Sequence, residues 1–298
     1  MPNIKGIFAA SITPLQRDYT PDLEALPIYL DFLAHRGCHG ALLLGTTGEG
    51  PSFSPDQRVA IFRSAAEIRQ EWPDFKLLAG TGTPSLDETI QLTRSAFDCG
   101  LDGVVVLPPY YFRDSADSGL LSWFSEVIDR SVPEGGHFFV YHIPGMSRIP
   151  ISINLLSNLL EKAPNKFSGL KDSSGDSEFA ARLGEKFGED LSVFTGNDRL
   201  ISTALNNHAS GCITALANLI SPDLKSIWDA HSQHESTEMI QTRVDHVRNI
   251  ADKFAPFPPL IKFLLNHSFE FPYWPVCPPL EDLSPASANQ VSRLIDLA

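Results

Sequence analysis

Short runs of consecutive apolar residues alternate along this chain with longer stretches whose apolar positions recur at helical spacing. The short runs lie at 6–14 (GIFAASITP), 39–48 (HGALLLGTTG), 76–82 (KLLAGTG), 102–111 (DGVVVLPPYY), 137–144 (HFFVYHIP), 167–175 (FSGLKDSSG), 191–198 (LSVFTGND) and 211–218 (GCITALAN). Several are apolar on consecutive positions, the pattern of strands buried on both faces, as in a parallel sheet covered by helices. Between them, 54–72 opens with Ser54 as an N-cap and Pro55 in the first turn. Its apolar positions are Val59, Ile61, Phe62, Ala65, Ala66 and Ile68. The stretch 85–100 places Ser85 and Glu88 at capping-box spacing and Gly100 at the exit, and 152–164 and 176–188 behave alike.

The repeat of about 25–30 residues is that of a strand plus a crossover helix. Eight such strands with interposed helices predict an α/β fold, a (β/α)8 TIM barrel. The competing arrangement is an open doubly wound sheet. The barrel is preferred because eight similar units occur and no G-x-G-x-x-G follows the first strand. From about residue 222 the pattern turns helical, with proline-rich breaks at 254–260 and 271–279. The predicted division is a barrel over 1–222 carrying the site and a helical extension over 223–298, with extra helices near 222–254, 258–268 and 284–297.

Composition narrows the function. The 298 residues are 43 % hydrophobic and 20 % charged, enough for a large core without a disulfide or metal staple. The formal net charge of −13 makes nucleic acid or an anionic membrane a poor partner, and any anionic substrate must be held by local groups. Cys38, Cys99, Cys212 and Cys277 are widely spaced, which predicts reduced thiols. No apolar run approaches ~18 residues and MPNIKGIFAA does not read as a signal peptide, so a cytoplasmic location is expected. The histidine pairs His35/His39 and His231/His234 form no H-E-x-x-H, so no metal is expected.

In such a barrel the C-terminal ends of the strands carry the chemistry. Here those ends hold Gly45–Gly50, Pro109-Tyr110-Tyr111, Tyr141, Lys171 followed by Asp172, Ser173 and Ser174, and Gly196-Asn197-Asp198. A lysine inside an apolar strand is costly when charged. An amine freed of its proton attacks ketones to form a Schiff base. The competing reading pairs Lys171 with Asp172 or Glu49 in the barrel mouth. Tyr141, on the preceding strand, reads either as core or as a proton shuttle. GTTGEG offers backbone N–H groups and hydroxyls to a carboxylate, or is an ordinary strand-to-helix turn; it is not a P-loop. Tyr110-Tyr111 reads as an interface or lid patch.

Taken together, Gly45-Thr46-Thr47-Gly48-Glu49, Pro109-Tyr110-Tyr111, Tyr141-His142-Ile143-Pro144 and Gly169-Leu170-Lys171-Asp172 resemble the dihydrodipicolinate synthase/N-acetylneuraminate lyase family, from about Gly6 to beyond residue 220. The resemblance implies a barrel with a C-terminal helical extension, usually a homotetramer (a dimer of dimers). It implies class I, Schiff-base chemistry on pyruvate or another 2-oxo acid, without metal or organic cofactor. By this resemblance Lys171 is the Schiff-base lysine and Tyr141 the proton relay. Thr46 and Thr47, with Gly48, bind the pyruvyl carboxylate and link the relay. Tyr111 reaches into a neighbouring subunit's site, the Ile213 carbonyl lines the site, and Ser173, Gly196 and Asp198 fall at polyol-binding positions.

One departure changes the substrate reading. The synthase pattern Tyr-Asn-x-Pro-Ser-Arg ends in an arginine that binds the aldehyde's carboxylate. This chain has Met146 there, with Arg148 two residues on, and methionine cannot make a bidentate carboxylate pair. An apolar residue is similar to the sialic-acid-lyase and sugar-acid-aldolase members, while Arg199 stands where sialate lyases carry an acid. The expected reaction is cleavage of a 2-keto-3-deoxy sugar acid or a 4-hydroxy-2-oxo acid to pyruvate and an aldehyde. The alternatives are synthase-like condensation, N-acetylneuraminate lyase activity, and dehydratase or decarboxylase chemistry from the same imine. A non-enzymatic pyruvate sensor or scaffold would need none of Lys171, Tyr141 and Thr46.

Overall fold

The computed structural model describes residues 4–295 and 297. Each of the eight apolar runs holds one strand: β1 (Gly6–Ala10), β2 (Gly40–Leu43), β3 (Lys76–Gly80), β4 (Gly103–Val106), β5 (His137–His142), β6 (Phe167–Asp172), β7 (Ser192–Thr195) and β8 (Gly211–Thr214). Every neighbouring pair is parallel and β1 closes on β8, so the sheet is a closed barrel in chain order. The fold is the TIM barrel, not the open sheet.

Alternation explains why the runs are apolar on consecutive positions. One set of side chains, including Phe8, Leu42, Leu78, Val105, Phe139 and Phe194, fills the barrel interior. There Phe194 stands edge-on to Phe8 and Phe139, at 5.5 and 5.8 Å between ring centres. The other set, among them Ile7, Leu43, Leu77, Val104, Phe138 and Leu170, packs outward on the helices.

The helices are α1 (Ala25–His35), α2 (Pro55–Ala66), α3 (Leu86–Asp98), α4 (Asp117–Ser131), the single turn α5 (Pro144–Ser147), α6 (Ile153–Lys162), α7 (Ser177–Phe187), α8 (Ile201–Asn206), α9 (Ala217–Ser232), α10 (Glu238–Ala251), α11 (Phe257–Phe269) and α12 (Pro285–Leu294). Ser54 caps α2 in a complete box: it accepts from Gln57 N while the Gln57 side chain accepts from Ser54 N. At α3 only the serine half forms, with Ser85 accepting from Glu88 N. The helix expected over 54–72 ends at Ala66 and tightens into a 3-10 turn over Glu67–Gln70.

The last apolar run divides: β8 stops at Thr214 and α9 begins at Ala217. The single helical segment expected over 222–254 is two helices, α9 and α10. Residue 222 therefore falls inside α9, where Pro222 removes a backbone donor and Ile220 leaves helical geometry (φ −119°). Because α9 also packs on β1 and β8, barrel and extension share it. Among the described residues no helix is long and apolar enough to cross a membrane. All four cysteines are unpaired, and burial pushes the Cys38 thiol up to about 12.

Candidate active site

Parallel pairing sets Tyr141 of β5 directly beside Lys171 of β6 and His142 beside Asp172. Strand alternation then separates the two pairs. Tyr141 joins the barrel interior, and the Lys171 Nζ lies 4.4 Å from the centre of its ring. Lys171 is only 3 % exposed. On the outer side, the His142 Nδ1 is 2.9 Å from Asp172 Oδ1, and the imidazole packs edge-on against Phe179 of α7. Ser174 donates to the same carboxylate from its N and its Oγ, each at 3.0 Å. Asp172 is thus held by His142 and Ser174, and Glu49 is held by Lys262. Among the described residues no carboxylate lies within 4 Å of Lys171 Nζ, so the ion-pair reading of this lysine loses both of its candidate partners.

Above this pair stands the Gly45–Gly50 turn. Thr46 Oγ1 is 3.4 Å from the Tyr141 hydroxyl. Burial pushes the Tyr141 phenol up, but the Lys171 charge and hydrogen bonding toward Thr46, Ser173 and Lys171 outweigh it, and the net shift is downward. Two non-glycine residues with left-handed backbone, Leu44 and Glu49, bracket the turn, each at φ 55°. Such strain persists only where the surroundings enforce it. Gly48 approaches β1 so closely that a Cβ would sit 2.7 Å from Ser11 O, and its carbonyl accepts from Thr13 Oγ1 at 2.7 Å. Glu49 anchors the far end. Its Oε1 accepts from Lys262 Nζ at 2.6 Å and its Oε2 from Cys277 N at 2.7 Å. Lys262 also donates to Pro275 O at 2.7 Å. Burial pulls the Lys262 amine down against the opposing pull of Glu49. This pair ties α11 and the segment after it to the GTTGEG turn.

A cavity of about 420 Å³ opens beside the turn, with Thr46 and Tyr141 on one side and Arg58, Tyr110, Ile143 and Met146 among its other walls. Thr47, Gly48, Lys171, Ser173, Gly196, Asp198, Ile213 and Tyr111 do not line it. Thr47 and Gly48 are buried in the turn, and Ile213 is buried in the barrel interior. Ser173 is half-buried and donates its N–H to His142 O at 2.7 Å. Gly196 faces it: a Cβ there would fall 1.9 Å from Ser173 Oγ, so the hydroxyl occupies the place of a side chain.

Asp198 has no exposed surface, and its Oδ2 is 2.8 Å from Arg248 Nη1 of α10, a contact that braces the end of β7 against the extension. Burial raises its carboxyl pKa in spite of that arginine. Arg148 is exposed, with a left-handed backbone at the end of α5, and stands outside the cavity that Met146 lines. The adjoining tyrosines part company. Tyr111 is 76 % exposed and packs edge-on against Phe112 at 5.4 Å, whereas Tyr110 lines the cavity. Among the described residues no three His, Cys, Asp or Glu side chains converge as a metal-ligand set.

Sequence reasoning passed over Arg58 and the Glu49–Lys262 pair. For Arg58 a signal existed: position 58 continues the buried stripe of Ile61, Phe62 and Ala65 at helical spacing, so it places a charge on a buried face. Glu49 and Lys262 are 213 residues apart, and no local pattern joins them.

Comparison with known proteins places the chain in a family. The model of the dihydrodipicolinate synthetase family matches residues 3–298. An uncharacterized DapA-like lyase of Chloroflexus aurantiacus is 38 % identical over 281 residues, covering 94 % of this chain and 92 % of that one. A 4-hydroxy-tetrahydrodipicolinate synthase of Corynebacterium urealyticum is 32 % identical over 229 residues, covering 76 % and 72 %. Among solved structures, YagE of E. coli K12, a prophage protein of the dihydrodipicolinic acid synthase family in complex with pyruvate, superposes with a TM-score of 0.91. It is 22 % identical and covers 98 % of this chain and 97 % of its own; that likeness speaks to the fold alone. By match length and identity, the chain belongs to the dihydrodipicolinate synthetase family of lyases.

Proposed function

We propose that this protein is a class I aldolase that reversibly cleaves a 2-keto-3-deoxy sugar acid, or a related 4-hydroxy-2-oxo acid, to pyruvate and an aldehyde. The observation that carries the reading is the pairing of Lys171 with Tyr141: a buried amine over a buried phenol, with no carboxylate among the described residues in ion-pair reach. The Lys171 Nζ attacks the C2 ketone, and loss of water gives the protonated imine. That imine withdraws electrons as the C3–C4 bond breaks, leaving an enamine. Tyr141 takes the C4 hydroxyl proton, and the aldehyde departs. The proton returns to C3 of the enamine, and water hydrolyses the imine to free pyruvate and the amine. Thr46 holds the phenol, and the Thr46–Gly48 turn presents N–H and hydroxyl groups to the pyruvyl carboxylate. Met146 at the cavity wall supports the sugar-acid reading over synthase-like condensation.

The pyruvate bound to YagE supports pyruvate as the product here. The exposed Tyr111–Phe112 pair supports assembly into a homotetramer in which Tyr111 reaches a neighbouring subunit. The test is a retro-aldol screen of 2-keto-3-deoxy acids coupled to pyruvate detection. Pyruvate release dependent on Lys171 is the expected result. Loss of water or CO2 from the substrate without pyruvate would replace aldol cleavage with dehydratase or decarboxylase chemistry.

A further inference from the structure

The aldolase reading needs the Tyr141 phenol and the Lys171 amine at a fixed separation, and the residue that follows each of them bears on how it is kept. Resting on that reading, we propose that His142 is a positioning residue: its hydrogen bond to Asp172, on the outer side of the barrel, fixes the phenol relative to the amine across β5 and β6.

The ladder that aligns Tyr141 with Lys171 is short. Phe138 pairs with Phe167 but Phe139 pairs with Gly169, so Ser168 of β6 is skipped and the register shifts. Beyond the shift, pairing runs only from Phe139/Gly169 to His142/Asp172. A slip of one residue turns a side chain to the opposite face of a strand, and would carry Lys171 out of the barrel interior. The last pair closes this ladder with side chains as well as backbone: His142 Nδ1 lies 2.9 Å from Asp172 Oδ1. With the carboxylate as acceptor, Nδ1 is the donor. The backbone continues the clamp. His142 O accepts from Ser173 N at 2.7 Å and Asp172 O from Gly196 N at 2.6 Å, so the ends of β5 and β6 are joined to the segment after β7.

This pair is out of character for its layer. The outward side chains that precede it, Phe138 and Val140 on β5 and Leu170 on β6, are buried apolar groups. His142 and Asp172 are buried nearly as deeply, at 5 % and 4 % exposed. Burying polar groups costs desolvation, and aliphatic residues of similar volume often stabilise such a layer as well or better. The cost is visible in the imidazole, whose Nε2 is buried with no hydrogen-bond partner among the described residues while the ring packs on Phe179. What the pair supplies that aliphatic residues do not is a set donor–acceptor distance, one position along from the reacting pair. A misplacement of about 1 Å can cost about 10²-fold in rate.

The test uses pyruvate alone, so it does not depend on the aldehyde. In D2O the imine on Lys171 loses a C3 proton to the deprotonated Tyr141 phenol and becomes the enamine. The enamine takes a deuteron from the exchanged O–D group, and hydrolysis releases deuterated pyruvate. Methyl exchange followed by proton NMR, divided by the fraction of chains that borohydride traps, reads proton transfer per competent site. His142→Leu suits the apolar layer and removes the donor; the rate per trapped site should fall by about tenfold or more, towards the loss that a ~1 Å shift produces. His142→Asn puts an amide nitrogen where Nδ1 stands and should restore most of the rate. In a Tyr141→Phe background, His142→Leu should change the residual rate little, because the phenol it positions is gone. If the leucine variant does not fold, His142→Gln, whose amide nitrogen falls nearer the place of Nε2, replaces it with the same expectation. A merely structural role would lower the trapped fraction and leave the rate per trapped site unchanged, which overturns the proposal. So would an equal loss in both backgrounds, or an asparagine variant no better than leucine. An adduct without exchange in the unsubstituted chain overturns it too, since there is then no relay to position. Failure of that chain to form any Lys171 adduct sinks the Schiff-base reading itself, whereas normal trapping and exchange in every His142 variant sinks only the role of His142.

Discussion

Replacing Lys262 by methionine tests whether the helical extension holds the GTTGEG turn, to which the proposed mechanism gives the pyruvyl carboxylate. The side chains of Lys262 and Glu49 are 2 % and 0 % exposed, so no solvent can take over the lost contact. Methionine fills most of the lysine stem's volume and leaves Glu49 with the Cys277 N–H alone. Stranding one member of a buried pair costs about 3–5 kcal/mol. At roughly 2–4 °C per kcal/mol for large domains, Tm should fall by about 6–20 °C. Glu49→Gln/Lys262→Met removes the stranded charge and should recover part of the loss, a coupling that only a double-mutant cycle exposes. Glu49 directly follows Thr46–Gly48, so the same variant should raise KM for the 2-oxo acid more than it lowers kcat. Thermal unfolding followed by circular dichroism and steady-state pyruvate release are the assays. A Tm within roughly 2 °C of the parent with KM unmoved would refute the anchoring argument, since that is less than 1 kcal/mol on the same scale.

Further outcomes follow from the same geometry. Tyr141→Phe keeps the ring over Lys171 and removes the proton acceptor, so kcat should fall by about 10²–10⁴ while borohydride still traps pyruvate; unchanged kcat would remove the phenol from the mechanism. The Tyr141 pKa is lowered from 10.0, and in the proposed mechanism its deprotonated form accepts the C4 proton. Cleavage should therefore quicken as pH rises through a value below 10, and this limb should vanish in Tyr141→Phe; a profile that keeps it assigns the titration to another group. Thr46→Val removes the hydroxyl 3.4 Å from that phenol and should lower kcat by about tenfold, the worth of one hydrogen bond. Asp198→Ala leaves Arg248 paired with Asp252 alone and should destabilise the fold by about 1.5–3 kcal/mol, the worth of a hydrogen bond to a charged group, with little change in KM; a KM effect without a Tm loss would return Asp198 to the substrate.

The barrel was legible because its strands announce themselves. A strand buried on both faces needs apolar side chains at consecutive positions, and all eight such runs hold strands. Helix starts were equally local, as the Ser54–Gln57 box shows. Helix ends were not: nothing within a few residues marks where α2 tightens after Ala66 or where β8 gives way to α9. The site divides along the same line. Lys171 and Tyr141 stand out as polar groups within apolar strands, and parallel register brings them together. The partners of Glu49, Asp198 and Asp172 come from elements far apart in the chain or from the outer side of the barrel, where sequence spacing carries no information. The fate of Glu49 and Asp172 decides whether Lys171 is paired, and only the folded structure shows it.

The most direct test of the central claim is mass spectrometry of the protein reduced with borohydride in the presence of pyruvate. The account predicts one reduced three-carbon adduct, on the peptide containing Lys171, and its absence in Lys171→Ala. An adduct on a different lysine, or an unmodified chain at saturating pyruvate, would contradict it.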